Sequence, residues 1–209
     1  MSIAERAAGL RREIPAGVTL VAVSKTHPAA AIREAYAAGL RDFGENYAQE
    51  WREKADALQD LADLRWHFIG GLQTNKVKYL AGRVTAIHTL DRLELAREIS
   101  KRFLAKGATA RVYLEVNIGG EATKSGCASD KTPALVEAAR ALPALELAGL
   151  MAIPPPGEDP RPHFRLLRGL RDRLGLAGLS IGMSADWRIA IEEGSTCVRI
   201  GSAIFGERG

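Results

Sequence analysis

LSIGMSADWRIAIEEGSTCVRIGSAIFG, residues 179–206, holds one strand, one helix and a second strand in sequence, and it decides how the rest of the chain is read. Residues 179–184 and 197–201 are short runs rich in Leu, Ile and Val, of strand length. Between them DWRIAIEEG has helical spacing and stops at Gly194, a residue suited to a left-handed C-cap. Two strands joined through a helix pair in parallel. Working back from here, the same alternation repeats to the N-terminus.

The other strands are read at residues 19–24 (TLVAVS), 41–45 (RDFGE), 65–70 (RWHFIG), 84–89 (VTAIHT), 111–117 (RVYLEVN) and 145–153 (LELAGLMAI). Helical patterns such as AAAIREAYAAG, RLELAREISKRFLAKG and TPALVEAARALP separate them, and a short amphipathic helix ends before Pro15 and Gly17. Eight strands with intervening helices predict an α/β fold, a single (β/α)8 TIM-type barrel with an extra N-terminal helix, as one domain over residues 1–209. The chain is near the lower size limit for that fold, so its loops must be short. An open doubly wound sheet would carry a GxGxxG turn after a strand, and none is present. The breaker cluster PPPGEDP, residues 154–160, follows the sixth strand and reads as a stiff surface loop or as a lid.

Composition narrows the function classes. An apolar content of 46% in 209 residues supplies a continuous core. No stretch approaches the ~20 apolar residues of a membrane span, and MSIAERAAGLRREIP lacks a signal-peptide h-region, so a cytoplasmic location is expected. Cys127 and Cys197 form no CxxC pair and read as small buried apolar residues. His27, His67, His88 and His163 show no ligand spacing, which argues against a histidine-built metal site. The formal charge of +4 is spread along the chain. Arg161, Arg165 and Arg168 share a helix face opposite Phe164, Leu167, Leu170 and Leu174; a solvated face is expected, with an anionic or nucleic-acid surface as the alternative. A nucleic-acid barrel is disfavoured by the lack of an aromatic and basic platform.

A barrel gathers its chemistry at the C-terminal ends of the strands. Those ends are polar here: Ser24 and Lys25, Glu45 and Asn46, His67, Asn117, Met151, Met183 and Ser184, then Arg199, Gly201 and Ser202. Along TLVAVSK the pleat puts Val21, Val23 and Lys25 on one face, expected to be the lumen. A lysine desolvated at an apolar mouth keeps a neutral amine able to attack an aldehyde. The alternative is a lysine that reaches solvent or pairs with Glu45. GMSAD and VRIGSAIFG, after strands seven and eight, suit an anion: Ser184 opens a helix, and Gly201 and Ser202 offer backbone approach and a hydroxyl. Ordinary capping and a tight turn is the other reading.

VSKTHP, GEN, HFIGGLQTNK, VNIGGEATKSG, LMAIP and the C-terminal run appear in order across nearly the whole chain. In these segments the sequence resembles the pyridoxal phosphate homeostasis proteins, small fold-type III proteins related to the barrel domain of alanine racemase. The resemblance implies pyridoxal 5′-phosphate (PLP) as cofactor, with Lys25 as the Schiff-base lysine and Asn46 beside the ring. It implies Ser184, Gly201 and Ser202 as phosphate contacts, Arg199 against the pyridine nitrogen, and Met151 and Met183 along the pocket. For His67, Gln73, Asn75 and Lys76 both a functional and a structural role stay open, the latter with Asn75 as a helix cap and Lys76 at the surface. Ile181 stands where SMGMS has Met, Gly71 fills a variable place, and Ser202 replaces a commoner Thr while keeping the hydroxyl.

A fixed cation at the pyridine nitrogen disfavours ring protonation and weakens the ring as an electron sink. Racemisation also needs an acid/base group on each face, and in the related racemases another domain and subunit supply the second. The expected function is therefore PLP buffering or delivery by a monomer, with PLP-dependent apoenzymes as partners, no catalytic residues and no metal. The alternative is a small PLP-dependent racemase or lyase using Lys25 as base, with a Ser, His67 or water opposite.

Overall fold

β-branched residues shape the first strand: in β1 (Thr19–Val23), Thr19, Val21 and Val23 alternate with Leu20 and Ala22, which suits a pleat packed on both faces. The computed structural model describes residues 1–121 and 125–206. It continues with β2 (Asp42–Glu45), β3 (Arg65–Phe68), β4 (Ala86–Leu90), β5 (Ala110–Asn117), β6 (Cys127–Ala128), β7 (Leu145–Met151), β8 (Gly178–Ser180) and β9 (Cys197–Ile200). Every pairing is parallel. The order β4-β3-β2-β1-β9-β8-β7-β5 closes on itself through β4–β5, which makes an eight-stranded TIM-type barrel. β6 is a two-residue extension paired to the end of β5, Val116 opposite Cys127, and no stave of the barrel.

Helices α1 (Ile3–Glu13), α2 (Ala29–Ala37), α3 (Ala48–Ala57), α4 (Val77–Leu80), α5 (Leu93–Leu104), α6 (Thr132–Arg140), α7 (Pro160–Arg173), α8 (Trp187–Glu192) and α9 (Ser202–Phe205) pack outside. α1 precedes the first strand and starts with a capping box between Ser2 and Glu5. α5 buries Leu95, Ala96, Ile99 and Phe103, a single helical stripe. Each large apolar side chain of that stripe contributes about 1.5–3 kcal/mol on burial. α7 begins where Pro160 follows the N-cap Asp159, whose carboxylate accepts from Arg161 N at 3.0 Å.

Several strands are shorter than their sequence patterns. β8 ends at Ser180 because Gly182, at φ 98°, turns the chain out of the ladder before Ser184. Pro154 and Pro155 are buried and the PPPGEDP segment leads directly into α7, an arrangement that suits a stiff loop. The arginine face of α7 is not simply solvated. Arg161, Arg165 and Arg168 all bind the buried carboxylate of Glu193, at 2.8, 3.0 and 3.0 Å. Burial alone would raise Glu193, but the three cations hold it below its ordinary range.

The apolar core lies between strands and helices, around Ile32, Phe43, Trp51, Phe68, Leu95 and Phe103. The lumen is different. Instead of layers of branched aliphatics it holds Asp42, His67, His88, Ser180 and Arg199 in contact with one another, beside a small cluster of Ala86, Tyr113, Ala148 and Met151.

Candidate functional site

Lys25 follows β1 by one residue, Ser24, and stands on a strained turn. Its neighbour Thr26 has φ 67°, a left-handed conformation that a β-branched residue rarely takes. The turn is pinned from outside the barrel. Thr26 N donates to Glu50 Oε1 at 2.5 Å, His27 N donates to Ser24 O at 3.1 Å, and Lys54 Nζ donates to Ser24 O at 2.7 Å. Glu45, predicted as a possible partner for Lys25, is engaged elsewhere. Its Oε1 accepts from Lys54 Nζ and from Ser24 Oγ, both at 2.7 Å, and its Oε2 carries no hydrogen bond. Burial pushes the Glu45 carboxyl up, against the pull of Lys54 and Ser24.

Val23 and Lys25 face the mouth of the barrel, where the strand ends enclose a cavity of about 550 Å³. Its wall contains all seven residues singled out as the core of the site: Lys25, Asn46, Met183, Ser184, Arg199, Gly201 and Ser202. Asn46 follows β2 and is pressed against Gly70. A Cβ at position 70 would lie 2.1 Å from Asn46 O, so only glycine fits there. Asn46 Oδ1 is buried without a hydrogen-bond partner, an acceptor that a hydroxyl-bearing ligand can satisfy.

The two C-terminal segments meet: Ala203 N, at the start of α9, donates to Ser184 Oγ at 3.4 Å. The turn before α8 is held by Met183 N donating to Asp186 Oδ1 at 2.6 Å, while Asp186 N and Trp187 N return to Met183 O. Arg199 is 5% exposed. Its Nη1 donates to Ser180 O and Ser180 Oγ at 2.5 and 2.7 Å, and Nη2 donates to Ala152 O at 3.3 Å. Burial pulls this guanidinium below its ordinary value, yet it stays charged at any physiological pH. Among the described lining residues there are two basic side chains, Lys25 and Arg199, and no carboxylate, which favours an anionic ligand.

Other expectations are corrected. Met151 does not line the cavity; it is 1% exposed and packs below it with Ala86, Tyr113 and Ala148. His67 is absent from the lining because its ring is tied between Asp42 and His88 deep in the lumen, so it cannot serve one face of a ligand as an acid or base. Asn75 is no helix cap: residues Thr74–Lys76 form a 3-10 turn with Gln73 in the cap position, and Asn75 and Lys76 are exposed. Among the described residues no group of His, Cys, Asp and Glu is arranged to hold a metal ion, and no helix is long and apolar enough to cross a membrane. Ala122, Thr123 and Lys124 of VNIGGEATKSG, and residues 207–209, lie outside the described residues. The sequence reading missed His27, Ile69, Ile153, Ala185 and Gly206 as wall residues. All five stand inside the motifs quoted above, and the His27 ring stacks on Phe205 of α9 at 5.0 Å.

The geometry can be set beside known proteins. The model of the alanine racemase N-terminal domain family matches residues 1–209. The pyridoxal phosphate homeostasis protein of Aquifex aeolicus (strain VF5) is 52% identical over 198 residues, covering 90% of this chain and 86% of that protein. The chain belongs to the pyridoxal phosphate homeostasis protein family. A second family member, from Pseudomonas aeruginosa, is 51% identical over 199 residues, covering 93% of this chain and 86% of its own. PipY of Synechococcus elongatus PCC7942, solved with PLP bound, superposes with a TM-score of 0.92 at 38% identity over 98% of this chain and 100% of that one. The family's barrel thus accounts for the whole described chain.

Proposed function

We propose that this chain binds PLP in the barrel mouth, holds it through Lys25 as a Schiff base, and buffers or delivers it to PLP-dependent apoenzymes without robust turnover of its own. It does so as a monomer in the cytoplasm, with neither nucleic acid nor membrane as partner. The observation that carries this reading is the convergence of Lys25, Arg199 and the joined Ser184 and Ala203 segments on one cavity free of described carboxylates. The family relatives and the PLP-bound neighbour support the same cofactor.

The residue roles proposed are those the family resemblance implies, and their shared place in the cavity wall supports them. Ser184, Gly201 and Ser202 take the phosphate, where hydroxyls and close backbone approach are available. Asn46 lies beside the ring, and its orphaned oxygen accepts a hydrogen bond there. Met183 closes one side with soft, adaptable packing. Arg199 faces the ring nitrogen as a cation that does not titrate. When bound, the cofactor supplies an aldehyde electrophile and an electron-withdrawing ring. A fixed cation at the nitrogen keeps that ring unprotonated, which suits retention over carbanion chemistry.

The test is borohydride reduction of protein incubated with PLP, followed by digestion and mass spectrometry. The pyridoxyl adduct is expected on Lys25 and absent in Lys25→Ala; no adduct, or an adduct on another lysine, overturns the reading. Replacing Arg199 with Glu is expected to change the visible spectrum by favouring a protonated ring, and an unchanged spectrum removes Arg199 from the nitrogen. Purified holoprotein is expected to show no substantial amino-acid racemisation or β-elimination; robust turnover would promote the racemase or lyase alternative.

A further inference from the structure

Below the cavity, Arg199 continues into a file of buried hydrogen bonds along the barrel. Arg199 Nη1 meets Ser180 Oγ at 2.7 Å, and Ser180 Oγ meets His88 Nδ1 at 2.8 Å. His88 Nε2 lies 3.0 Å from His67 Nδ1, and His67 Nε2 lies 2.9 Å from Asp42 Oδ1. Arg65 closes the file by gripping both oxygens of Asp42, at 2.8 and 2.6 Å. Asp42, Arg65 and His67 line a second cavity of about 280 Å³, whose wall includes Thr19 at the start of β1 and so lies at the opposite end of the barrel from the mouth.

With both imidazoles neutral, donor and acceptor arithmetic run from the Asp42 carboxylate fixes every hydrogen in this file. A guanidinium has donors only, so Ser180 Oγ accepts from Arg199. Its single hydroxyl hydrogen goes to His88 Nδ1, the bare nitrogen of a neutral ring whose Nε2–H faces His67. His88 carries its hydrogen on Nε2 and donates it to His67 Nδ1. His67 in turn carries its hydrogen on Nε2 and donates it to Asp42. Asp42 is an ionised acceptor: burial works to raise it, but bonds from Arg65 and His67 bring it down to about 2. In this arrangement all hydrogens point away from Arg199, and both imidazoles are Nε2–H tautomers.

We propose that Ser180, His88, His67 and Asp42 are positioning residues for Arg199, a relay of fixed polarity that keeps the lone pairs of Ser180 turned toward the guanidinium and the guanidinium turned toward the ring nitrogen. This rests on the reading above that Arg199 faces that nitrogen. The polarity matters because the Ser180 hydroxyl has another option. Without an acceptor at His88 Nδ1 it is free to rotate, and Arg199 loses its fixed partner. A proton entering at His67 would reverse the file: His67 would donate to His88, His88 to Ser180, and Ser180 would face two donors at once, the Arg199 guanidinium and His88 Nδ1–H. The groups that set this balance are Asp42 on β2, Arg65 and His67 on β3, Arg111, Tyr113 and Glu115 on β5, Ser180 on β8, and Cys197 and Arg199 on β9. The Tyr113 ring stacks on His88 at 4.6 Å and blocks any other approach to that face.

The first test needs no variant. Nitrogen-15 NMR of the cofactor-free protein at neutral pH is expected to show Nε2–H and bare Nδ1 on both His67 and His88; a hydrogen on Nδ1 of either ring overturns the relay. The second uses cofactor binding. His88→Phe removes the acceptor and Ser180→Ala removes the link, and each is expected to weaken PLP binding by about tenfold, the scale of one hydrogen bond to a charged group, and to shift the bound-cofactor spectrum. His88→Asn, which restores an acceptor near Nδ1, is expected to recover the wild-type spectrum. If the Ala and Phe variants bind and absorb like wild type while Arg199→Ala does not, the relay fails and the arginine assignment survives. If Arg199→Ala is itself silent, the assignment beneath the relay fails and the proposal falls with it.

Discussion

Thr26 and Gly70 show how single residues are bent to the needs of the mouth. Thr26 occupies a left-handed conformation that costs a non-glycine residue roughly 1–2 kcal/mol, and it adjoins Lys25. Thr26→Gly is expected to raise stability by about 1 kcal/mol in urea unfolding, while the looser turn speeds PLP dissociation measured by transfer to an acceptor apoenzyme. Stability and retention should move in opposite directions. Gly70 presents the reverse case, because a methyl there collides with the backbone of Asn46 rather than with a yielding side chain. Gly70→Ala is expected to destabilise by about 1–3 kcal/mol and to weaken PLP binding, both read in one ligand-dependent thermal melt.

The helices outside the barrel are fastened by charge as well as by apolar faces. α7 packs Phe164, Leu167 and Leu170 inward and reaches past its own edge to Glu193, just after α8. Glu193→Ala leaves three arginines without their common anion, so hydrogen exchange at α7 amides is expected to quicken and the melting temperature to fall by a few degrees. The same change in an exposed carboxylate such as Glu137 should do neither. Alternating strand and helix patterns made the barrel legible in the sequence, because burial on both faces gives short Val and Ile runs and the helices keep one apolar stripe. Lys25, Ser184, Gly201 and Ser202 were legible because barrel chemistry sits at strand ends. The clamp on Glu193 was not: its arginines are spaced as a surface face is spaced, and their partner lies outside the helix. His88 was hidden for a similar reason, since it reads as one polar residue in an apolar strand and its partners sit on two other strands.

Across the whole molecule, the polar lumen makes stability depend on acid in two steps. His88 is held well below its ordinary value of 6.5, first by burial and then by the cations around it. Unfolding lets it take up a proton that the folded barrel excludes, so its contribution is full above pH 6.5 and shrinks as pH falls below that value. Asp42, lowered from 3.8 to about 2, adds roughly 2–3 kcal/mol above pH 4, lost as pH falls toward 2. Urea titrations across this range are expected to show both slopes, with the lower one absent in Asp42→Asn; a stability flat between pH 7 and 5 would contradict the neutral assignment of His88. The joining of α1 to α9, where Arg6 Nε donates to Ile204 O at 2.6 Å, has a different kind of consequence. Lys25 lies in the chain far ahead of the segment around Ser202, so on the proposed roles the amine is made long before its phosphate seat. On that reading, tight holding of PLP waits until β9 is made and the barrel can close.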